Sequence, residues 1–151
     1  MRRVAITGVG VVSSIGDDAA EVLESLKTGR SGLSRSKEFE ELGFKAQVVG
    51  RPKLNVEEAL DRRTRRFMGE ASAWNYVAMK QAIADSRLDP GEISHPKTGI
   101  IMGSGGPSTR VIVEAADITR RDKGNRKIGP TAVPKAMSST ASATLAVPFE
   151  I

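Results

Sequence analysis

The chain has 151 residues, enough for one domain with a real core. Its 39% apolar and 27% charged residues are a globular balance and exclude a disordered chain. The absence of cysteine excludes disulfides, thiolate metal sites and a cysteine nucleophile within these residues, and the net charge of +5 favours an anionic partner: nucleic acid, membrane or acidic protein.

Val4–Val12 is a β-branched, near-continuous apolar run. It predicts a first strand buried on both faces of an α/β sheet rather than a signal peptide, because no small-residue cleavage site follows and Asp17, Asp18 and Glu21 come next. Gly8 and Gly10 resemble the start of a dinucleotide fingerprint, but Ser13 stands where a small glycine is wanted. Asp17 or Asp18 caps a helix reaching about Thr28, with Glu21 placed for a capping box, Val22, Leu23 and Leu26 as its apolar face, and Gly29 as its stop. Residues 33–43 read as irregular, and Ala46–Val49 as a short strand stopped by Gly50 and Pro52.

Asp61–Ser86 is the longest helical pattern. Phe67, Ala71, Trp74, Ala78 and Ala82 recur at helical spacing, flanked by Met68, Val77, Met79 and Ile83, and predict a core stripe. Arg62, Arg63, Arg65 and Arg66 crowd its N-terminal end, which the helix dipole reserves for acids. The cluster is either a solvated face or an anion-binding surface. Leu88–Ile93 is a turn around Pro90 and Gly91. His95, the single histidine, sits in a loop, and one histidine does not make a typical zinc site.

Thr98–Pro107 reads as a short strand, Gly99–Met102, running into the turn Gly103-Ser104-Gly105-Gly106 and then a helix. That is where α/β proteins hold ligands, although a tight turn explains the glycines equally well. Thr109–Arg120 is a helix with Val111, Ile112, Ala115 and Ile118 on one side. Arg120, Arg121, Lys123, Arg126 and Lys127 form a second basic patch. Thr131–Val147, rich in Ala, Ser and Thr, predicts a buried, closely approached helix, and residues 148–151 predict the opening of another strand, so that the chain reads as stopping mid-fold.

Six stretches, taken in order, carry a resemblance: VAITGVGVVSSIG (Val4–Gly16), LKTGRSG (Leu26–Gly32), DRRTRRFM (Asp61–Met68), QAIADS (Gln81–Ser86), GSGG (Gly103–Gly106) and the closing PKAMSSTASATLAVPFEI. Together they resemble the N-terminal part of a β-ketoacyl-acyl-carrier-protein synthase of type I, over essentially all 151 residues. The resemblance implies an α/β, thiolase-like fold of αβαβα layers, of which this chain is most of the N-terminal half, truncated before the nucleophile. It implies a homodimer in the cytoplasm, no cofactor, no metal, no nucleic acid and no membrane, with the acidic acyl carrier protein as partner. The implied reaction is a decarboxylative Claisen condensation in fatty-acid biosynthesis, run by a cysteine thiolate, two histidines and a lysine. None of these catalytic residues falls in this chain, so the chain alone is expected to be inactive.

By match to the family, Gly106 lines the acyl pocket, and Ile112, Val133 and Met137 approach it from the partner subunit. Lys45, Arg62, Arg63 and Arg66 form one side of the carrier-docking surface, and Lys123 and Arg126 the other. Two other readings stay open. A basic α/β nucleotide- or nucleic-acid-binding module is weakened by Ser13 and by the lack of aromatics among the basic clusters. A non-catalytic truncated product differs only in what the cell makes.

Overall fold

The computed structural model describes residues 3–122 and 124–151. The elements in chain order are α1 (Ala19–Thr28), β1 (Leu33–Arg35), α2 (Lys37–Glu41), β2 (Val48–Gly50), α3 (Val56–Ala59), a 3-10 helix (Thr64–Phe67), α4 (Glu70–Ser86), α5 (Pro90–Ile93), α6 (Thr109–Asp122), α7 (Ala132–Ala136) and α8 (Thr140–Phe149). The local signals around α1 are realised. Asp18 accepts the amide of Glu21 at 2.8 Å, and the Glu21 carboxylate reaches back to the amide of Asp17 at 3.0 Å. Gly29 closes the helix at φ 66°, the left-handed conformation that glycine tolerates best. The apolar face is another matter: Leu23 and Leu26 are exposed.

The stretch read as irregular contains β1 and α2, and β1 pairs antiparallel with β2, Ser34 opposite Val49. Ser36, which caps α2 by accepting the amide of Phe39, was the available signal for that helix. The second strand lies two residues later than Ala46–Val49 predicts, at Val48–Gly50.

Val4–Val12 joins no sheet, and Val4 and Ile6 are 95% and 88% exposed. A strand needs a ladder, and the described residues supply no neighbour for this one. Instead the segment lies along α4. Gln81 accepts the amide of Val11 and Asp85 that of Val9, both at 2.9 Å. The match is geometric: two residues of extended chain rise about 6.6 Å and four residues of helix about 6 Å, so i, i+4 acceptors meet i, i+2 donors. Gly8 and Gly10 face Ala82 and Ala78 so closely that a Cβ on either would overlap a helix carbonyl. These glycines serve backbone packing and leave no space for a dinucleotide.

The predicted long helix is broken. Residues 56–59 and 64–67 are separate turns, Met68 is extended, and α4 starts at Glu70 after Gly69. The break follows from a close approach: the carbonyl of Lys135 lies 2.9 Å from where a Cβ on Gly69 would stand. The core therefore centres on Leu60, Met68 and Ala73, with Val56, Tyr76 and Val77 against it: Met68 and Val77, which flank the predicted stripe, join it, while Phe67 of the stripe itself is 45% exposed. Helix α8 also packs on α4, with Tyr76 stacked on Phe149 at 5.3 Å. Thr140, Ala141 and Leu145 of α8 are buried, as the small side chains predict. Helix α8 runs through Phe149, and Glu150 caps it in the left-handed region, where a strand opening was expected.

The accessible surface is 11392 Å2. A compact monomer of 16.1 kDa exposes roughly 7,400 Å2 by the surface–mass scaling. The excess is partly apolar, including Ile101, Leu26, Val133 and Val147, which makes these faces suited to further protein rather than water.

Candidate functional site

The break at Gly69 re-sites the arginine cluster. The arginines no longer crowd the N-terminus of α4, which carries Glu70, the acid its dipole favours. Arg65 and Arg66 sit instead in the last turn of the 3-10 helix. The arginines therefore do not oppose the dipole of α4, and what sets them apart is their arrangement in space. Arg62, Arg63, Arg65 and Arg66 line one cavity of about 680 Å3 together with Thr131 and Lys135 from the other side. Among the described residues, the only salt bridge made by any of these five cations joins Arg65 to Glu57 at 3.1 Å.

Asp61 organises the turn that presents the arginines. Its carboxylate accepts from the Thr64 hydroxyl at 2.6 Å and from the amides of Thr64 and Arg63 at 3.0 and 2.8 Å. The Thr64 hydroxyl and then the Thr64 amide, with a lesser part from the Arg63 amide, hold its pKa below the usual carboxylate range against the opposing effect of desolvation. The folded value lies below the unfolded one. Its stabilising contribution is therefore complete above the unfolded pKa and is lost as pH falls through the folded value. A carboxyl NMR titration of Asp61 is expected to give a midpoint below that of a free aspartate. Thr64→Val, which removes the hydroxyl, is expected to raise that midpoint.

Lys45 and Arg126 are exposed but line no part of this cavity, and Lys123 lies outside the described residues. Arg65 is legible in the sequence as part of the arginine run, whereas Thr131 and Lys135 are not. A signal for Lys135 existed: it is the only charged residue in Thr131–Val147. His95 is exposed in its loop and accepts the amide of Lys97 at 3.1 Å. Among the described residues there is no group of acids and histidine able to hold a metal, and no helix is long and apolar enough to cross a membrane.

The glycine turn is positioned by α7. The amide of Ser108 donates to the carbonyl of Ala136 at 2.9 Å, and α6 packs on α7. Gly99–Met102 forms no strand; Ile101 is fully exposed and has no neighbouring strand to pair with. Gly103, Gly105 and Gly106 have no left-handed φ, and a Cβ on any of them would meet nothing within 4 Å. Among the described residues neither backbone conformation nor close approach requires these glycines, and they leave open room beside the turn. Gly106 borders a cavity of about 80 Å3 with Gly69, Ser104, Ser108, Met137 and Ala141. Ile112, Val133 and Met137 are about half to two-thirds exposed. A larger apolar groove, about 800 Å3, runs between the 3-10 helix and α8 past Phe67, Met68 and Val147 and shares Arg63 with the basic cavity.

All of residues 1–151 match the family model described as "Beta-ketoacyl synthase, N-terminal domain". The chain is 44% identical over 151 residues to 3-oxoacyl-[acyl-carrier-protein] synthase 1 of Haemophilus influenzae, a match covering 100% of this chain and 37% of that protein. It thus spans little more than a third of the relative's length. Among solved structures, a beta-ketoacyl synthase from Burkholderia phymatum STM815 superposes with a TM-score of 0.80 at 24% identity, over 100% of this chain and 38% of that one. A type II polyketide ketosynthase, solved in complex with its acyl-carrier protein and bound to the hexaketide, gives 0.70 at 19% identity, over 95% and 39%. The fold is the thiolase-like α/β fold of ketosynthases, although the described residues pair only one two-stranded sheet.

Proposed function

This chain belongs to the beta-ketoacyl synthase family, whose N-terminal domain it matches along its whole length, and on that premise we propose that it is the N-terminal part of a 3-oxoacyl-[acyl-carrier-protein] synthase. The complete enzyme transfers the acyl group of an acyl-carrier protein to a cysteine thiolate, breaking the carrier's thioester and releasing the carrier as its free thiol. Malonyl-carrier protein then loses CO2, and the resulting carbanion attacks the acyl thioester. The tetrahedral adduct collapses to a 3-oxoacyl-carrier protein and returns the thiolate. The 151 residues contain no cysteine, so their share of this chemistry is binding.

The observation that carries the reading is the basic cavity, four arginines and a lysine around one hollow, beside the short helix that holds the glycine turn. An acidic carrier docks on Arg62, Arg63 and Arg66, with Lys45, Lys123 and Arg126 extending the surface. Charges of this kind steer encounter and orient the partner. Gly106 leaves room for the acyl chain, and Ile112, Val133 and Met137 close that room from the second subunit of a cytoplasmic homodimer. The exposed apolar faces are covered by the remainder of the complete protein and by that subunit.

The test is condensation itself. The complete protein is expected to convert malonyl- and acyl-carrier protein into 3-oxoacyl-carrier protein with release of CO2, followed by mass spectrometry of the carrier. The 151-residue chain alone is expected to yield no product and to self-associate in solution through its uncovered faces. A complete protein that leaves both carriers unchanged would overturn the reading.

A further inference from the structure

The geometry points to Lys135 as a further carrier-binding residue: it completes, from α7, a hollow into which the acidic carrier inserts carboxylate side chains. This deepens the docking reading above and rests on it. Lys135 is half-buried and lines the cavity opposite the arginines. Its backbone is held in place on both sides. Gly69 admits the Lys135 carbonyl to a distance that a side chain would forbid, and the next residue, Ala136, accepts the amide of Ser108. The ammonium stem therefore starts from a fixed point, which lowers the entropy lost on binding.

Electrostatics decides the kind of occupant. Five cations surround the hollow, and Glu57 is the only carboxylate within bonding distance of any of them among the described residues. Asp61 is occupied by the hydroxyl of Thr64 and two backbone amides of its own turn. At about 680 Å3 the hollow takes more than one carboxylate, so it fits a run of acidic side chains on a protein surface. A single-stranded nucleic acid would want a free stacking platform as well; among the described residues the lining has no aromatic ring, and the nearest, Phe67, is covered by Arg66 at 5.2 Å and lines the neighbouring apolar groove.

Binding of the acyl carrier protein to the complete protein, measured by calorimetry across a salt series, tests this with Lys135→Glu, Lys135→Gln, Lys135→Arg and Arg62→Glu. Lys135→Glu is expected to weaken binding about ten-fold and to flatten its salt dependence, with Lys135→Arg within about two-fold of the native protein. Lys135→Gln, which keeps most of the stem, is expected to fall between them and serves where the reversal impairs folding. If Arg62→Glu weakens binding while Lys135→Glu and Lys135→Gln match the native protein, the assignment of Lys135 is overturned and the docking reading stands. If all four variants match the native protein, the docking reading falls and the Lys135 proposal with it.

Discussion

Gly10→Val is expected to abolish the folded state. A Cβ at residue 10 would stand 1.8 Å from the carbonyl oxygen of Ala78 and 2.7 Å from the amide of Ala82, both backbone atoms of α4. Backbone cannot rotate away as a side chain would, so either the segment lifts off α4 or the helix distorts. Lifting off also breaks the bonds from Val9 and Val11 to Asp85 and Gln81, and with them the contact of Gln81 with the carbonyl of Asp17 at 2.7 Å. Losses of this kind belong to the rare class above about 4 kcal/mol. Total stability is about 5–15 kcal/mol, so most of the molecules would be unfolded or aggregated at growth temperature. Soluble yield and thermal melting of the complete protein check this. Gly29→Ala is the control, because that position is strained only by its left-handed φ and has open space around it. It is expected to cost about 1 kcal/mol.

Gly106→Phe is expected to change substrate length rather than folding. Its backbone is not left-handed and a Cβ there would meet nothing within 4 Å, so the substitution starts from an unstrained, open position. The room it fills is the room assigned to the acyl chain. In the complete enzyme, kcat/KM for a twelve-carbon acyl-carrier protein is expected to drop about a hundred-fold, close to 2.7 kcal/mol of transition-state stabilisation. A four-carbon substrate, which reaches less far into the pocket, is expected to lose much less. Competition between the two substrates in one reaction reads the ratio directly. An unchanged ratio would remove Gly106 from the pocket.

What could be read in the amino-acid order was decided by near neighbours. The cap at Asp18, the stop at Gly29 and the helix of Thr109–Asp122 depend on residues within one or two turns, and those signals sit in the chain itself. The arginine run and the family resemblance were legible for the same reason: both are linear patterns. The tertiary structure alone decided three further matters. It split the predicted helix at Gly69, because the backbone of α7, 66 residues away, passes there. It turned Gly8 and Gly10 from a suspected ligand loop into a packing seam, because their partners are carbonyls of α4 some 70 residues on. It brought Lys135 to the arginines, an assembly for which no local pattern exists. Capping and composition act over a few ångströms along the chain. Close approach and charge clustering act through space, and are settled only once distant segments have packed.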